Sequence, residues 1–98
     1  MEFRFKTNRL EALYTTKKNA HDYPEGVVKS FFKVTSLISA ATDLRDLAAI
    51  KSRHFEKLQG DREGQYSMRL NNQFRLILEL QEHAGGKYLL IVEIADYH

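Results

Sequence analysis

The fold is decided by the stretch GQYSMRLNNQFRLILEL, residues 64–80, in which apolar and polar side chains alternate on both sides of an asparagine pair. In its first half, Tyr66, Met68 and Leu70 alternate with polar residues. A period of two places successive side chains on opposite faces of a β-strand. Because asparagine tolerates the positive φ angle of a tight hairpin turn, Asn71–Asn72 is predicted to join two antiparallel strands.

Further strands are predicted on both sides of this hairpin. The glycines of HAGGK, residues 83–87, turn the chain again, and residues 88–95 form an apolar last strand. The segment EFRF, residues 2–5, alternates over a length that suits a short edge strand. Since the closing Asp-Tyr-His follows the last strand directly, we expect that strand to hold the C-terminus in place.

Helical spacing of apolar residues precedes the hairpin. A first helix is predicted behind a cap at Thr7 or Asn8. Residues 24–41 are predicted to form the longest helix, because Pro24 suits a first turn and apolar residues recur every three or four positions.

A short third helix is predicted over residues 43–49, with Thr42 or Asp43 as its cap. The resulting order β-α-α-(α)-β-β-β-β indicates an α+β fold. We expect an N-terminal edge strand and two to three helices packed on a small antiparallel meander sheet. At 98 residues, the chain is expected to form one domain, residues 1–98.

Composition excludes several classes of protein. The chain has no cysteine, which excludes a disulfide framework and a thiolate metal site. The N-terminus lacks the apolar stretch of a signal peptide, and no apolar run approaches the ~20 residues of a membrane span. We therefore expect a cytoplasmic protein with no membrane contact, no metal and no cofactor.

Positive charge is concentrated between residues 51 and 75, although the net charge of the whole chain is only +2. The basic residues of this stretch are Lys51, Arg53, Lys57, Arg62, Arg69 and Arg75, and the acidic ones are Glu56, Asp61 and Glu63. Aromatic residues lie between them, and arginine beside aromatic rings can bind phosphates and stack on bases. A solvated hairpin face is the alternative, and composition alone favours it.

Strand parity places two of these arginines together. Arg69 and Arg75 both fall on the strand face opposite Met68 and Leu76. If the helices pack on the apolar face, both arginines point out of the other face and form a pocket for a phosphate. The alternative is that each arginine pairs with a nearby carboxylate such as Glu79 or Glu93.

Motifs in the second half of the chain resemble a known family. LQGDREGQYSMRLNNQFRLILEL, residues 58–80, is followed after a gap by VEIADYH at the terminus. The combination of Leu-x-Gly-Asp-Arg-x-Gly, Tyr-Ser-x-Arg, Phe-Arg-Leu and a closing Asp-Tyr-His is similar to the HigB-type toxins of the RelE/ParE toxin–antitoxin superfamily. AATDLRDL, residues 40–47, is similar to the segment that leads into the sheet of these toxins.

The resemblance implies a fold, an activity and partners. The fold would be a small sheet with helices packed on one side. The activity would be that of a metal-independent mRNA endoribonuclease that cuts messages on the translating ribosome. The partner would be a HigA-like helix-turn-helix antitoxin, so that the toxin would contact operator DNA only through the antitoxin.

The resemblance also implies catalytic residues for attack by the 2′-hydroxyl on the adjacent phosphate. Arg75 would clamp the phosphate with its planar fork of donors, and His98 would transfer protons. Asp96 shares a strand face with His98 by parity and could orient its ring, whereas Tyr97 points to the other face and could stack or fill the core. The alternative for these last three residues is a simple C-terminal anchor.

The chain departs from this family near the glycine-rich turn. Several HigB-type toxins have a histidine where this chain has Glu56, and many have a lysine where it has Gln59. His54 shares a face with Glu56 if both lie in an extended strand, so either is a candidate proton acceptor or a plain surface residue. Arg62, Arg69 and Lys57 are predicted RNA contacts.

Two other functions remain open from the sequence. One is a non-catalytic toxin of the same fold that inhibits a protein target such as gyrase, as the ParE branch does. The other is a degenerate toxin that acts as a co-repressor with its antitoxin. The replacements at Glu56 and Gln59 favour these readings, whereas Arg75 and the closing Asp-Tyr-His favour the nuclease.

Overall fold

The structure is a computed structural model that describes residues 1–97. Three α-helices are described: α1 (Asn8–Thr16), α2 (Glu25–Ala40) and α3 (Leu44–Ala48). The strands are β1 (Phe3–Phe5), β2 (Glu56–Lys57), β3 (Gln65–Arg69), β4 (Phe74–His83) and β5 (Gly86–Asp96). Within this part of the chain, no helix is both long enough and apolar enough to cross a membrane.

The helices begin where the capping residues predict. Thr7 rather than Asn8 caps α1, because its Oγ1 accepts a hydrogen bond of 3.2 Å from the backbone N–H of Leu10. Asp43 caps α3 through a hydrogen bond from the backbone N–H of Arg45. The Arg45 side chain also donates to the Asp43 carboxylate, which lowers the pKa of Asp43 below its usual value.

The sheet has five strands in the order β1-β5-β4-β3-β2. Strands β2 to β5 form the predicted antiparallel meander. β1 lies at the edge, as predicted, but it pairs in parallel with β5, so the sheet is mixed rather than wholly antiparallel. The partner of β1 lies more than 80 residues along the chain, with Phe3 aligned on Leu89, and local sequence patterns contain no information about such a pairing.

The turn between β3 and β4 differs from the predicted tight asparagine turn. Arg69 pairs with Arg75, so the connection spans residues 70–73, and neither asparagine has a positive φ angle. Instead, the Asn71 side chain accepts hydrogen bonds of 2.8 Å and 2.7 Å from the backbone N–H groups of Gln73 and Phe74. The prediction was wrong because a side-chain acceptor, and not left-handed backbone, closes this loop.

The sheet separates two layers. The main core packs the helices onto the first face of the sheet, and its fully buried side chains include Phe31, Ile38, Met68, Leu76 and Ile91. The second face carries a smaller apolar cluster of Ile77, Val92 and Ala95, with Leu58, Leu90 and Tyr97 packed against it. We call this second face the open face, because no helix covers it.

A β-bulge in β5 decides which residues near the C-terminus reach the open face. Ile77 pairs with Glu93 and Leu78 pairs with Ile91, so Val92 is an extra residue in β5. Because of this extra residue, the alternation of faces shifts by one after Val92. Ala95 and Tyr97 therefore belong to the open face.

Candidate nucleic-acid interface

Two arginines lie directly opposite each other on the open face. Arg69 on β3 is the register partner of Arg75 on β4, and the neighbouring Met68 and Leu76 belong to the helical core. The predicted shared face is therefore confirmed. Like charges directly opposite on a sheet are unfavourable for stability, so the pair has no evident structural purpose of its own.

Carbonyl and amide oxygens of the β3–β4 loop hold both guanidinium groups. Arg75 Nη1 donates to the carbonyl oxygens of Asn71 (2.9 Å) and Phe74 (3.3 Å). Arg69 Nε donates to the same Asn71 carbonyl (3.3 Å), and its Nη2 donates to Oδ1 of Asn72. The loop and the first residue of β4 thus fix both side chains with neutral acceptors, which add no negative charge.

No carboxylate of residues 1–97 forms an ion pair with either arginine. Glu93 instead pairs with Arg62, and Glu79 accepts hydrogen bonds from Gln65 and Gln81. The alternative in which Glu79 or Glu93 neutralises Arg69 and Arg75 is therefore wrong. Two fixed cations that have no carboxylate partner within residues 1–97 are suited to an anionic ligand.

His54 lies against the arginine pair. Its backbone has φ 45° and ψ 56°, a left-handed conformation at the end of the 3-10 turn Lys51–Arg53. Its Nε2 lies 3.3 Å from Nη1 of Arg69. A guanidinium only donates, so this contact is a hydrogen bond when Nε2 carries no proton. The left-handed turn is the feature that brings the ring to this site.

The expected extended strand through residues 54 and 56 is not present. β2 begins only at Glu56, which pairs with Ser67 and lies on the open face with an exposed side chain. Lys57 pairs with Tyr66 and points to the other face of the sheet. Strand alternation therefore brings Glu56 toward the arginines and keeps Lys57 away from them.

Arg62 lies beside Glu93, which pairs with Ile77 on the open face. It belongs to the 3-10 turn Gly60–Arg62, and its guanidinium contacts Glu93 and Gln65. Gly60 and Gly64 on either side have φ angles of 68° and 90°, which glycine adopts without a steric penalty. Arg62 is thus compensated by a carboxylate and is not grouped with Arg69 and Arg75.

Asp96 is held in β5, in line with the predicted role of the last strand, and the β3–β4 loop adds contacts to Asp96 and Tyr97 that were not predicted. The Asp96 carboxylate accepts hydrogen bonds of 3.0 Å and 3.1 Å from Gln73 Nε2, and the Tyr97 backbone N–H donates to the Gln73 carbonyl at 2.6 Å. Asp96 aligns with Phe74 on the helical side of the sheet, whereas Tyr97 packs on the open face. His98, the predicted proton-transfer residue, lies outside the described residues.

Sequence reasoning missed several residues that build this site. Asn71 and Asn72 provide acceptors for the arginines, and Gln73 ties the C-terminus to the same loop. Arg53 Nη1 donates to the Arg69 carbonyl at 3.3 Å. The asparagines carried a usable signal, since their side chains commonly accept from backbone N–H groups two or three residues on. Gln73 and Arg53 act through tertiary contacts, and the sequence pattern gave no signal for their role.

Residues 3–98 match the family described as the RelE-like toxin of the type II toxin–antitoxin system HigB. The chain belongs to this family. Toxin HigB-1 of Vibrio cholerae serotype O1 is 32% identical over 79 residues, which cover 81% of this chain and 83% of that protein. This HigB-like chain is therefore the toxin of a type II toxin–antitoxin module.

Solved structures support the RelE-like fold. The chain is similar to the YoeB toxin in the YoeB–YefM complex from Staphylococcus aureus, with a TM-score of 0.60 and 20% identity over 100% of this chain and 97% of that one. It is also similar to the YoeB/ParE toxin from Agrobacterium tumefaciens, with a TM-score of 0.58 and 14% identity over the full length of both chains. These HigB-like and YoeB-like proteins share an α+β architecture.

Proposed function

We propose that this HigB-like toxin is a ribosome-dependent mRNA endoribonuclease. The observation that supports the proposal is the arginine pair, Arg69 and Arg75, which is fixed by one loop and has no carboxylate partner within residues 1–97. A nuclease needs fixed cations where negative charge builds up on the phosphate during cleavage. An inhibitor that only covers a protein target has no such requirement.

Arg75 is assigned to the scissile phosphate. Its Nη1 is bound to loop carbonyls, which orient the planar guanidinium and leave other N–H donors for phosphoryl oxygens. Arg69 is assigned to the same phosphate or to its neighbour along the strand. No metal is required, because the two guanidinium groups supply the positive charge.

The reaction transfers two protons. The 2′-hydroxyl loses its proton as O2′ bonds to phosphorus, and the 5′-oxygen gains a proton as its bond to phosphorus breaks. His54, whose Nε2 lies 3.3 Å from Arg69 Nη1, is assigned as a proton acceptor that exchanges this contact for the 2′-hydroxyl, together with Glu56 on the open face. His98 is assigned as the donor to the leaving oxygen, with Tyr97 on the open face and Asp96 anchoring the segment.

The partner of the toxin is assigned as a HigA-like helix-turn-helix antitoxin. The toxin would act in the cytoplasm on ribosome-bound mRNA and would reach operator DNA only through this antitoxin. One structural relative, from Staphylococcus aureus, was solved as a complex of YoeB with YefM. Membership in a type II family likewise supports a protein antitoxin.

The experiment is a map of new 5′ ends in cellular mRNA after brief induction of the toxin. We compare wild type with Arg75→Ala and with Arg45→Ala, a matched control whose guanidinium is highly exposed beside Asp43. New ends inside translated frames, present with the control, absent with Arg75→Ala and lost when ribosomes are blocked, are the expected result.

Other outcomes contradict the proposal in distinct ways. Growth arrest with no new ends indicates a protein target such as gyrase. Neither arrest nor new ends indicates a degenerate toxin, and then Glu56 and Gln59 are the first positions to replace with the residues of related toxins. Equal cutting by wild type and Arg75→Ala removes the assignment of Arg75.

A further inference from the structure

The helical side of the molecule carries a large groove that the proposed cleavage chemistry does not use. It has a volume of about 1200 Å³ and lies between α2, the 3-10 turn Ala20–Asp22 and residues 50–53. Half-buried apolar side chains form its floor, including Val28, Phe32 and Ile50. An apolar depression of this size on a chain of 98 residues marks a binding surface.

Cations surround this floor. The charged side chains that line the groove are Lys17, Lys29, Lys33, Arg53 and Glu25. Four cations and one carboxylate give a formal local charge of +3, whereas the whole chain carries only +2. The groove is therefore more positive than the rest of the molecule.

Within residues 1–97, none of these four cations forms an ion pair with a carboxylate. Lys17 Nζ instead lies 5.7 Å from the centroid of the Phe32 ring, at the border between the cationic rim and the apolar floor. Other exposed cations of the chain do find partners, such as Arg9 with Asp22 and Arg45 with Asp43. Arg53 donates one N–H to the Arg69 carbonyl, and the three lysines of the rim are available to an external anion.

We propose that this groove binds an acidic amphipathic segment of the antitoxin, an inference that rests on the antitoxin partner of the proposed function. Apolar side chains of the segment would cover Phe32 and its neighbours, and carboxylates on either side would meet Lys29 and Lys33. A nucleic acid matches the cationic rim, and a base could stack on Phe32, but the aliphatic side chains Val28, Leu37 and Ile50 offer bases no ring to stack on. A second copy of this chain would set one cationic rim against another.

The proposed segment leaves the open face uncovered. The groove is built on α2 in the helical layer, and Arg69 and Arg75 lie on the other side of the sheet. A segment bound in the groove would therefore leave Arg69 and Arg75 open to an anionic ligand.

The test measures binding of the purified antitoxin from the same operon to the full toxin by calorimetry. The test variant is Lys29→Glu with Lys33→Glu, and the matched control is Lys6→Glu with Lys87→Glu, two exposed lysines outside the groove. We expect the test variant to bind at least about tenfold more weakly and the control to bind like wild type. Thermal melting establishes that both variants are folded.

A labelling experiment separates contact from long-range charge effects. The chain has no cysteine, so Ser36→Cys in the groove and Ala84→Cys in the distant β4–β5 turn are each a unique thiol. Bound antitoxin should slow the reaction of a maleimide with Cys at position 36 and leave the reaction at position 84 unchanged.

The results that would contradict the groove assignment can be distinguished from those that would contradict the antitoxin partner. If wild type binds the antitoxin and the test variant binds equally well, the groove assignment is wrong while the antitoxin partner stands. If wild type does not bind the antitoxin, the partner in the proposed function is wrong and this inference falls with it. If light scattering shows a wild-type dimer that the test variant breaks, the groove is a contact between copies of the chain.

Discussion

At the scale of single residues, the central feature is the pair of opposed guanidinium groups on β3 and β4. Arg69 and Arg75 are register partners, and cross-strand pairs of like charge are unfavourable. The loop carbonyls that hold them provide hydrogen bonds but no negative charge. The two guanidinium groups therefore repel each other in the free toxin, and binding of an anionic substrate relieves this electrostatic strain.

This strain predicts that activity and stability respond differently to Arg75→Gln. The amide keeps a donor for the Asn71 carbonyl while the opposed charge is removed. We expect the free energy of unfolding to stay equal or to rise by up to about 0.5 kcal/mol, while RNA cleavage is lost. Urea unfolding followed by circular dichroism measures this, and a loss above about 1 kcal/mol would show that Arg75 is chiefly structural.

His54 allows a matched test of proton transfer. Asparagine tolerates the left-handed backbone at this position, so His54→Asn should remove the imidazole without straining the chain. We expect cleavage to fall by about 10²-fold with no change in melting temperature. The control is His21→Asn, whose side chain is 85% exposed in the 3-10 turn Ala20–Asp22. Equal cleavage by wild type and His54→Asn would contradict the role of His54.

Residue-level prediction from the sequence succeeded where the signal was local. The Thr7 and Asp43 caps and the shared face of Arg69 and Arg75 follow from side-chain chemistry and strand parity. The position of His54 could not be predicted in this way, because it depends on a left-handed residue that is not glycine. Such a conformation is rare, and surrounding structure rather than local preference selects it.

At the scale of elements, the β3–β4 loop joins the arginine pair to the C-terminal segment. Gln73 contributes both its carbonyl, which accepts from Tyr97, and its amide, which donates to Asp96. Asn71 contributes its carbonyl to Arg69 and Arg75. This loop therefore sets where Asp96 and Tyr97 lie relative to the arginine pair.

Gln73→Ala should loosen this arrangement locally. The substitution removes the amide bonds to Asp96 and keeps the backbone bond to Tyr97, so we expect a destabilisation of about 1 kcal/mol. Hydrogen exchange should show faster exchange of the Tyr97 amide and unchanged exchange in α2. The control is Gln81→Ala, whose amide contacts Glu79 farther along β4. Unchanged protection of Tyr97 in Gln73→Ala would contradict the anchoring role.

The order of the helices and strands was predicted accurately, whereas the pairing of the strands was predicted only in part. The long helix begins and ends within one residue of the predicted 24–41, because its apolar period and Pro24 are local signals. The parallel pairing of β1 with β5 and the bulge at Val92 were not predicted. Both depend on contacts between residues far apart in the chain. The bulge also moves every side chain that follows it in β5 to the opposite face of the sheet.

At the scale of the whole molecule, the net charge is only +2, but the positive charges are concentrated on two separate surfaces. Arg69 and Arg75 lie on the open face, and the lysines of the groove lie in the helical layer. The carboxylates Glu79 and Glu93 also lie on the open face, but their partners are Gln65 and Arg62. The sheet thus separates an RNA-directed surface from a protein-directed one in the proposed account.

The most direct test of the account is the rate at which purified toxin cuts one defined mRNA on programmed ribosomes. We predict that Arg75→Ala slows cleavage by about 10²- to 10³-fold, since one donor to a developing anion has this effect. Arg75→Lys should recover only part of the rate, because an ammonium group lacks the planar fork. Arg45→Ala should cut at the wild-type rate. Wild-type cleavage by Arg75→Ala would contradict the central claim.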